Sequence, residues 1–68
     1  MEYRFSLKAA RAYADLTLSE ASEQLGVAIS TLRSWECGKT EPKVSTIEKM
    51  AELYGVRASD IFLTNRAT

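Results

Sequence analysis

Residues 17–38 confine this chain more than any other stretch, because they hold two short helices with almost no linker between them. Thr17-Leu18-Ser19-Glu20 has the form of a capping box: the Thr17 hydroxyl can accept from the Glu20 amide while the Glu20 carboxylate reaches back. That opens a helix to about residue 25, with Leu18, Ala21 and Leu25 on one face. Ala21 and Ser22 are small, which lets another helix cross closely. Gly26-Val27 ends this helix, glycine being the easiest residue at a left-handed C-terminal position. Ala28, Leu32 and Trp35 then recur at i, i+4 and i+7, the spacing of a buried stripe on a further helix of about residues 28–37, stopped by Gly38. Two short helices joined by so few residues must cross at a large angle, and the second projects one face outward. That face carries Ser30, Arg33, Ser34 and Cys37, with Ile29 at its edge. A helix that merely covers a core usually shows solvent more Glu and Lys.

The rest of the chain completes a helical plan. Leu7, Ala10, Arg11 and Ala14 give a first helix of about residues 6–14. Ser45-Thr46-Ile47-Glu48 offers another capping box, although the fourth helix can also begin two residues earlier. Ile47, Met50, Ala51 and Tyr54 form its apolar face and Gly55 closes it. A short fifth helix is expected at about residues 59–63, with Ile61 and Phe62 apolar. Tyr3 and Phe5 alternate with Glu2 and Arg4, the pattern of a short N-terminal strand. The expected fold class is all-α, a compact five-helix bundle forming one domain over residues 1–68.

Composition excludes several functions. At 68 residues a single core is only marginally sufficient, and the lone Cys37 rules out an intramolecular disulfide framework, so stability must come from packing or a partner subunit. With no His and one Cys, there is no basis for a structural zinc site, and no cofactor is expected. Without His, a nucleophile constellation or a pocket motif, the carboxylates of Glu20, Glu23, Glu48 and Glu52 read as solvated helix faces rather than as enzyme groups. No apolar run approaches the roughly 20 residues of a membrane span, and no signal-peptide core follows Met1, so a cytoplasmic location is expected. Nine basic and nine acidic residues cancel. Taken alone, that balance counts against nucleic acid, where phosphate neutralisation supplies much of the affinity.

The stretch LTLSEASEQLGVAISTLRSWECGKTEP, residues 16–42, nevertheless resembles the signature of the phage-repressor and Cro type of helix-turn-helix, the XRE family. Thr17, Gly26-Val27, Thr31-Leu32, Trp35-Glu36, Gly38-Lys39 and Pro42 match in register; Arg11 and the segment IEKMAELYGVRASDIF fit the same fold. Three positions depart: Leu18 replaces a phosphate-holding Gln, Ala28 a capping Ser, and Cys37 the Arg or Asn before the loop glycine. The resemblance implies a sequence-specific double-stranded DNA-binding transcriptional regulator, a repressor of bacterial or prophage type, with a helix-turn-helix at about residues 17–37. The helix at about residues 28–37 would enter the major groove.

Mapped onto the family, base edges fall to Ile29, Ser30, Arg33 and Ser34. Ile29 suits a thymine methyl, the serines suit almost any base, and Arg33 suits guanine or a phosphate. Phosphates fall to Thr17 and Ser19 at a helix N-terminus, and to Lys39, Thr40 and Lys43 in the following loop. Ile29 also reads as a partly buried core residue, and the basic groups as solvated charges. Trp35, on the buried stripe, is read as core rather than as a stacking platform. Arg11 lies within an apolar stripe, where an unpaired charge is expensive. Glu36 is its natural partner and such a pair is a family habit; the alternative is an arginine that snorkels to solvent.

A lone module buries little DNA surface, so the expected form is a homodimer on a two-fold operator with half-sites about one turn apart. The dimer contact expected from sequence is Ile61, Phe62 and Leu63, with Tyr3 and Phe5, although the same residues also read as ordinary core. No membrane or small-molecule partner is expected. Two further readings share the fold: an antitoxin-like or restriction-control regulator, and a protein-interaction module that has lost DNA binding.

Overall fold

Ser6 starts the first helix. Its hydroxyl accepts from the Ala9 amide at 3.1 Å, so an orphan donor of the first turn is satisfied by a side chain. The structure, a computed structural model, describes residues 5–62. Strand β1 (Phe5–Ser6) leads into α1 (Leu7–Tyr13), and Asp15, in the left-handed region at φ 63°, turns the chain toward α2 (Leu18–Leu25). There Thr17 and Glu20 form a reciprocal box: the Thr17 amide donates to Glu20 Oε1 at 2.9 Å and the Glu20 amide to Thr17 Oγ1 at 3.1 Å. Gly26, at φ 73°, closes α2 while the Val27 amide donates to the Ser22 carbonyl. Only Gly26, Val27 and Ala28 separate α2 from α3 (Ile29–Cys37).

Gly38 repeats the device at φ 84°, and the Lys39 amide donates to the Ser34 carbonyl. Buried Pro42 fixes the connection to α4 (Val44–Tyr54). This helix takes the earlier of the two expected starts. Lys43 is its N-cap without a side-chain cap bond, so the Ser45–Glu48 box is not used. The core gathers Leu7 and Ala10 from α1, Ala21 from α2, Leu32 from α3, Met50, Ala51 and Tyr54 from α4, and Ile61. Ser22 is buried beside Ala21, its hydroxyl donating to the Ser19 carbonyl at 2.9 Å. Two small buried residues on α2 are what permit the close crossing with α3.

The fifth helix is corrected. Residues Ala58–Asp60 make a single 3-10 turn, and the chain continues as strand β2 (Ile61–Phe62), which pairs in parallel with β1 in the register Phe5 to Ile61 and Ser6 to Phe62. The described residues thus form four α-helices and a two-stranded sheet that ties the two ends together. A helix of about five residues does not repay its nucleation, whereas β-branched Ile61 and aromatic Phe62 suit extended backbone and find a partner strand in β1. The expected N-terminal strand shares Phe5 with β1; Tyr3 lies outside the described residues. No helix among them is long and apolar enough to cross a membrane.

Candidate nucleic-acid interface

Leu32 holds α3 to the core; it is fully buried, while Trp35 is partly buried and packs against the same cluster. Ala28 does not belong to this stripe. It is the N-cap, with extended backbone at φ −70° and ψ 150°, and it is exposed without a side-chain cap bond. The stripe fails there because the 3.6-residue period holds only where the backbone is helical. The first turn of α3 therefore has no capping side chain.

A second fastening is ionic. Arg11 Nε donates to Glu36 Oε2 at 2.7 Å and Nη2 donates to Oε1 at 3.1 Å, a two-pronged contact joining α1 to α3. Nη1 donates to the Leu16 carbonyl at 2.8 Å, so one guanidinium ties α1, α3 and the connection before α2. The side chains are only 12% and 6% exposed. The hydrogen bond to Glu36 raises the Arg11 pKa, against the pull of burial, so the guanidinium keeps its charge.

Tyr54 stands against this pair. Its hydroxyl is buried and has no hydrogen-bond partner among the described residues. Burial first and the Glu36 charge second push the phenol up to about 12, with Arg11 opposing. The fold therefore keeps the phenol proton to about pH 12, whereas an unfolded chain releases it near pH 10. Stability from this group is complete below about pH 10 and falls as pH rises through 12, by roughly 3 kcal/mol in all. Tyr54→Phe keeps the ring and removes the orphan hydroxyl. It is expected to leave stability at pH 7 unchanged or raise it by about 1 kcal/mol, and to flatten the alkaline decline. Urea unfolding of both proteins between pH 9 and 12 checks this; an equal decline in both would contradict it.

The outward side of α3 is exposed except at Ser34. Ser30 and Arg33 are exposed, Ser34 is half-buried, and Ile29 keeps 41% of its surface. Lys39, Thr40 and Lys43 are exposed along the 38–43 connection. Thr17 and Ser19 are exposed at the start of α2, but the capping box already engages the Thr17 hydroxyl as an acceptor and places the Glu20 carboxylate there. The Thr17 hydroxyl proton and the Ser19 hydroxyl are the side-chain donors left outside the box at that end. Val44 was missed in the sequence. It is 73% exposed in the first turn of α4, so among the described residues two of the three exposed large apolar side chains, Ile29 and Val44, open the helices on either side of the connection. The exposed Cys37 and the half-buried Gly38 end α3 on the same segment. Among the described residues no His, Cys, Asp or Glu side chains gather into a metal-binding group.

A protein-family model described as helix-turn-helix matches residues 7–61, from the start of α1 into β2. This chain belongs to the Cro/C1-type (XRE) helix-turn-helix family. Two curated relatives are similar to it. An uncharacterized HTH-type transcriptional regulator of Methanocaldococcus jannaschii is 37% identical over 57 residues, covering 84% of this chain and 86% of that protein. The cryptic phage CTXphi transcriptional repressor RstR of Vibrio cholerae is 36% identical over 47 residues, covering 69% of this chain and 42% of the repressor. No solved structure gives a significant match.

Proposed function

We propose that the chain is a single DNA-binding domain that acts as a sequence-specific transcriptional repressor, inserting α3 into the major groove of an operator as a homodimer. The observation that carries this reading is the outer face of α3. Exposed Ile29, Ser30 and Arg33, with half-buried Ser34, form a sparsely charged face on a helix held rigidly by Leu32 and the Arg11–Glu36 pair. An α-helix with its side chains is about 10–12 Å across, a fit to a major groove about 12 Å wide. Arg33 reads guanine, Ser30 and Ser34 hydrogen-bond base edges, and Ile29 meets a thymine methyl. Lys39, Thr40 and Lys43 hold the flanking phosphates, with Thr17 and Ser19 on the other side. Glu36 is neutralised by Arg11, so Arg33, Lys39 and Lys43 leave this segment modestly positive against the remaining Glu41. Because the chain as a whole is neutral, non-specific binding is weak and the salt dependence shallow.

The expected dimer contact at the C-terminal segment is revised in part. Ile61 belongs to the core at 7% exposure, Phe5 and Phe62 are half-buried, and Tyr3 and Leu63 lie outside the described residues. A mobility shift with the DNA upstream of its own gene tests the function. Arg33→Ala is expected to weaken the specific complex about 10- to 100-fold with no change in the thermal melt, since Arg33 is exposed. Ser30→Ala should act in the same direction more weakly. A wild-type protein that shifts no DNA at low salt, and instead forms a stable protein complex, would overturn the reading in favour of an interaction module.

A further inference from the structure

We propose that the outer face of α1, centred on Tyr13, is where two copies of this chain meet. This deepens the homodimer of the preceding section and rests on it. Leu7 and Ala10 point α1 into the core, which leaves Lys8, Ala9, Ala12 and Tyr13 exposed. Tyr13 keeps 65% of its surface and lies against Phe5, with ring centroids 5.2 Å apart and planes tilted by 49°. The result is an aromatic pair beside two alanines, which bring no bulk to hold a second helix away.

The charges at the two ends of α1 select the occupant. Lys8 sits in the first turn and Asp15 follows the last, both exposed and without an ion-pair partner among the described residues. This is the reverse of what a helix dipole favours, which is an acid at the N-terminus and a base at the C-terminus. The arrangement does nothing for α1 on its own. Against an antiparallel copy of α1 it becomes complementary: Lys8 of each protomer meets the C-terminal end and Asp15 of its partner, twice, about a two-fold axis near Ala12. A surface that carries opposite charges at its two ends and small residues between them is self-complementary in this way, which argues for a second copy rather than an unrelated protein.

A seven-residue helix is only about 10 Å long, so the face falls short of the roughly 1,200 Å² of a stable complex. The dimer is therefore weak in solution and closes on DNA, where two adjacent half-sites supply the effective concentration. Sedimentation equilibrium of the full chain from about 10 μM to about 1 mM is the test. Reversible dimerisation is expected, weakened at least roughly tenfold by Tyr13→Glu and measurably by Lys8→Glu or Asp15→Lys alone. The double variant Lys8→Glu/Asp15→Lys should return toward wild type, because each reversed charge again meets its opposite across the axis. Thermal melts accompany each variant, as position 15 has a left-handed backbone that strains lysine; Lys8 and Tyr13 are exposed helical positions. A wild type monomeric at about 1 mM, or a dimer indifferent to Tyr13→Glu, or no rescue in a double variant that still folds, would overturn the proposal. DNA docking is judged separately on a duplex with one half-site, which Tyr13→Glu should bind as well as wild type does.

Discussion

Arg11→Met is expected to destabilise the domain by about 3–5 kcal/mol, because it leaves the Glu36 carboxylate buried without its counter-charge. Glu36 is 6% exposed and receives two of the guanidinium donors, so water cannot replace what is lost without the helices parting. The Leu16 carbonyl loses its donor in the same substitution. A domain of this size has a total stability near the low end of about 5–15 kcal/mol, so much of the variant should be unfolded at physiological temperature. Glu36→Gln is the milder change, since the amide oxygen still accepts one bond; it should cost about 1–3 kcal/mol. The double replacement Arg11→Met/Glu36→Leu should be more stable than Arg11→Met alone, since no charge then remains buried. Urea unfolding of wild type, Arg11→Met, Glu36→Leu and Arg11→Met/Glu36→Leu gives the coupling energy, and additive effects within about 0.5 kcal/mol would show that the contact does not fasten α1 to α3.

Leu32→Ala should produce the other large loss. Leu32 is 0% exposed and is the fully buried residue of α3, packed where α1, α2 and α4 meet. Truncating a buried leucine costs about 3–5 kcal/mol, the lost transfer energy plus the cavity. Here the loss falls on the element that presents the candidate interface. Leu32→Met, which conserves volume, should cost under about 1.5 kcal/mol. Thermal unfolding followed by circular dichroism ranks the two. At low temperature, hydrogen exchange in the remaining folded Leu32→Ala protein should rise first in α3. A melt of Leu32→Ala within a few degrees of wild type would mean that α3 is held by something other than this side chain.

The helices were legible wherever their signals are local. The Thr17–Glu20 box and the left-handed Gly26 and Gly38 set the ends of α2 and α3, because caps and glycine conformations are decided by a handful of neighbouring atoms. Ala28 misled because a buried stripe was extended one residue past the first helical one. The expected helix at 59–63 fails for a different reason: Ile61 and Phe62 are settled by pairing with Phe5 and Ser6, more than 50 positions away in the chain. The outward residues of α3 could be read from the period of its buried side. The approach of Tyr54 to the Arg11–Glu36 pair, the Leu16 carbonyl and the exposure of Val44 could not, since each depends on how elements distant in sequence pack.

The most direct test of DNA docking by α3 is a titration of the isotope-labelled chain with an operator duplex, followed through its backbone amide chemical shifts. The amides of Ile29, Ser30, Arg33 and Ser34 should move most, with smaller changes at Thr17, Ser19, Lys39, Thr40 and Lys43. Lys49 and Glu52 on α4 should stay unchanged. Shifts that gather on α4 and leave 29–34 still would contradict a major-groove role for α3.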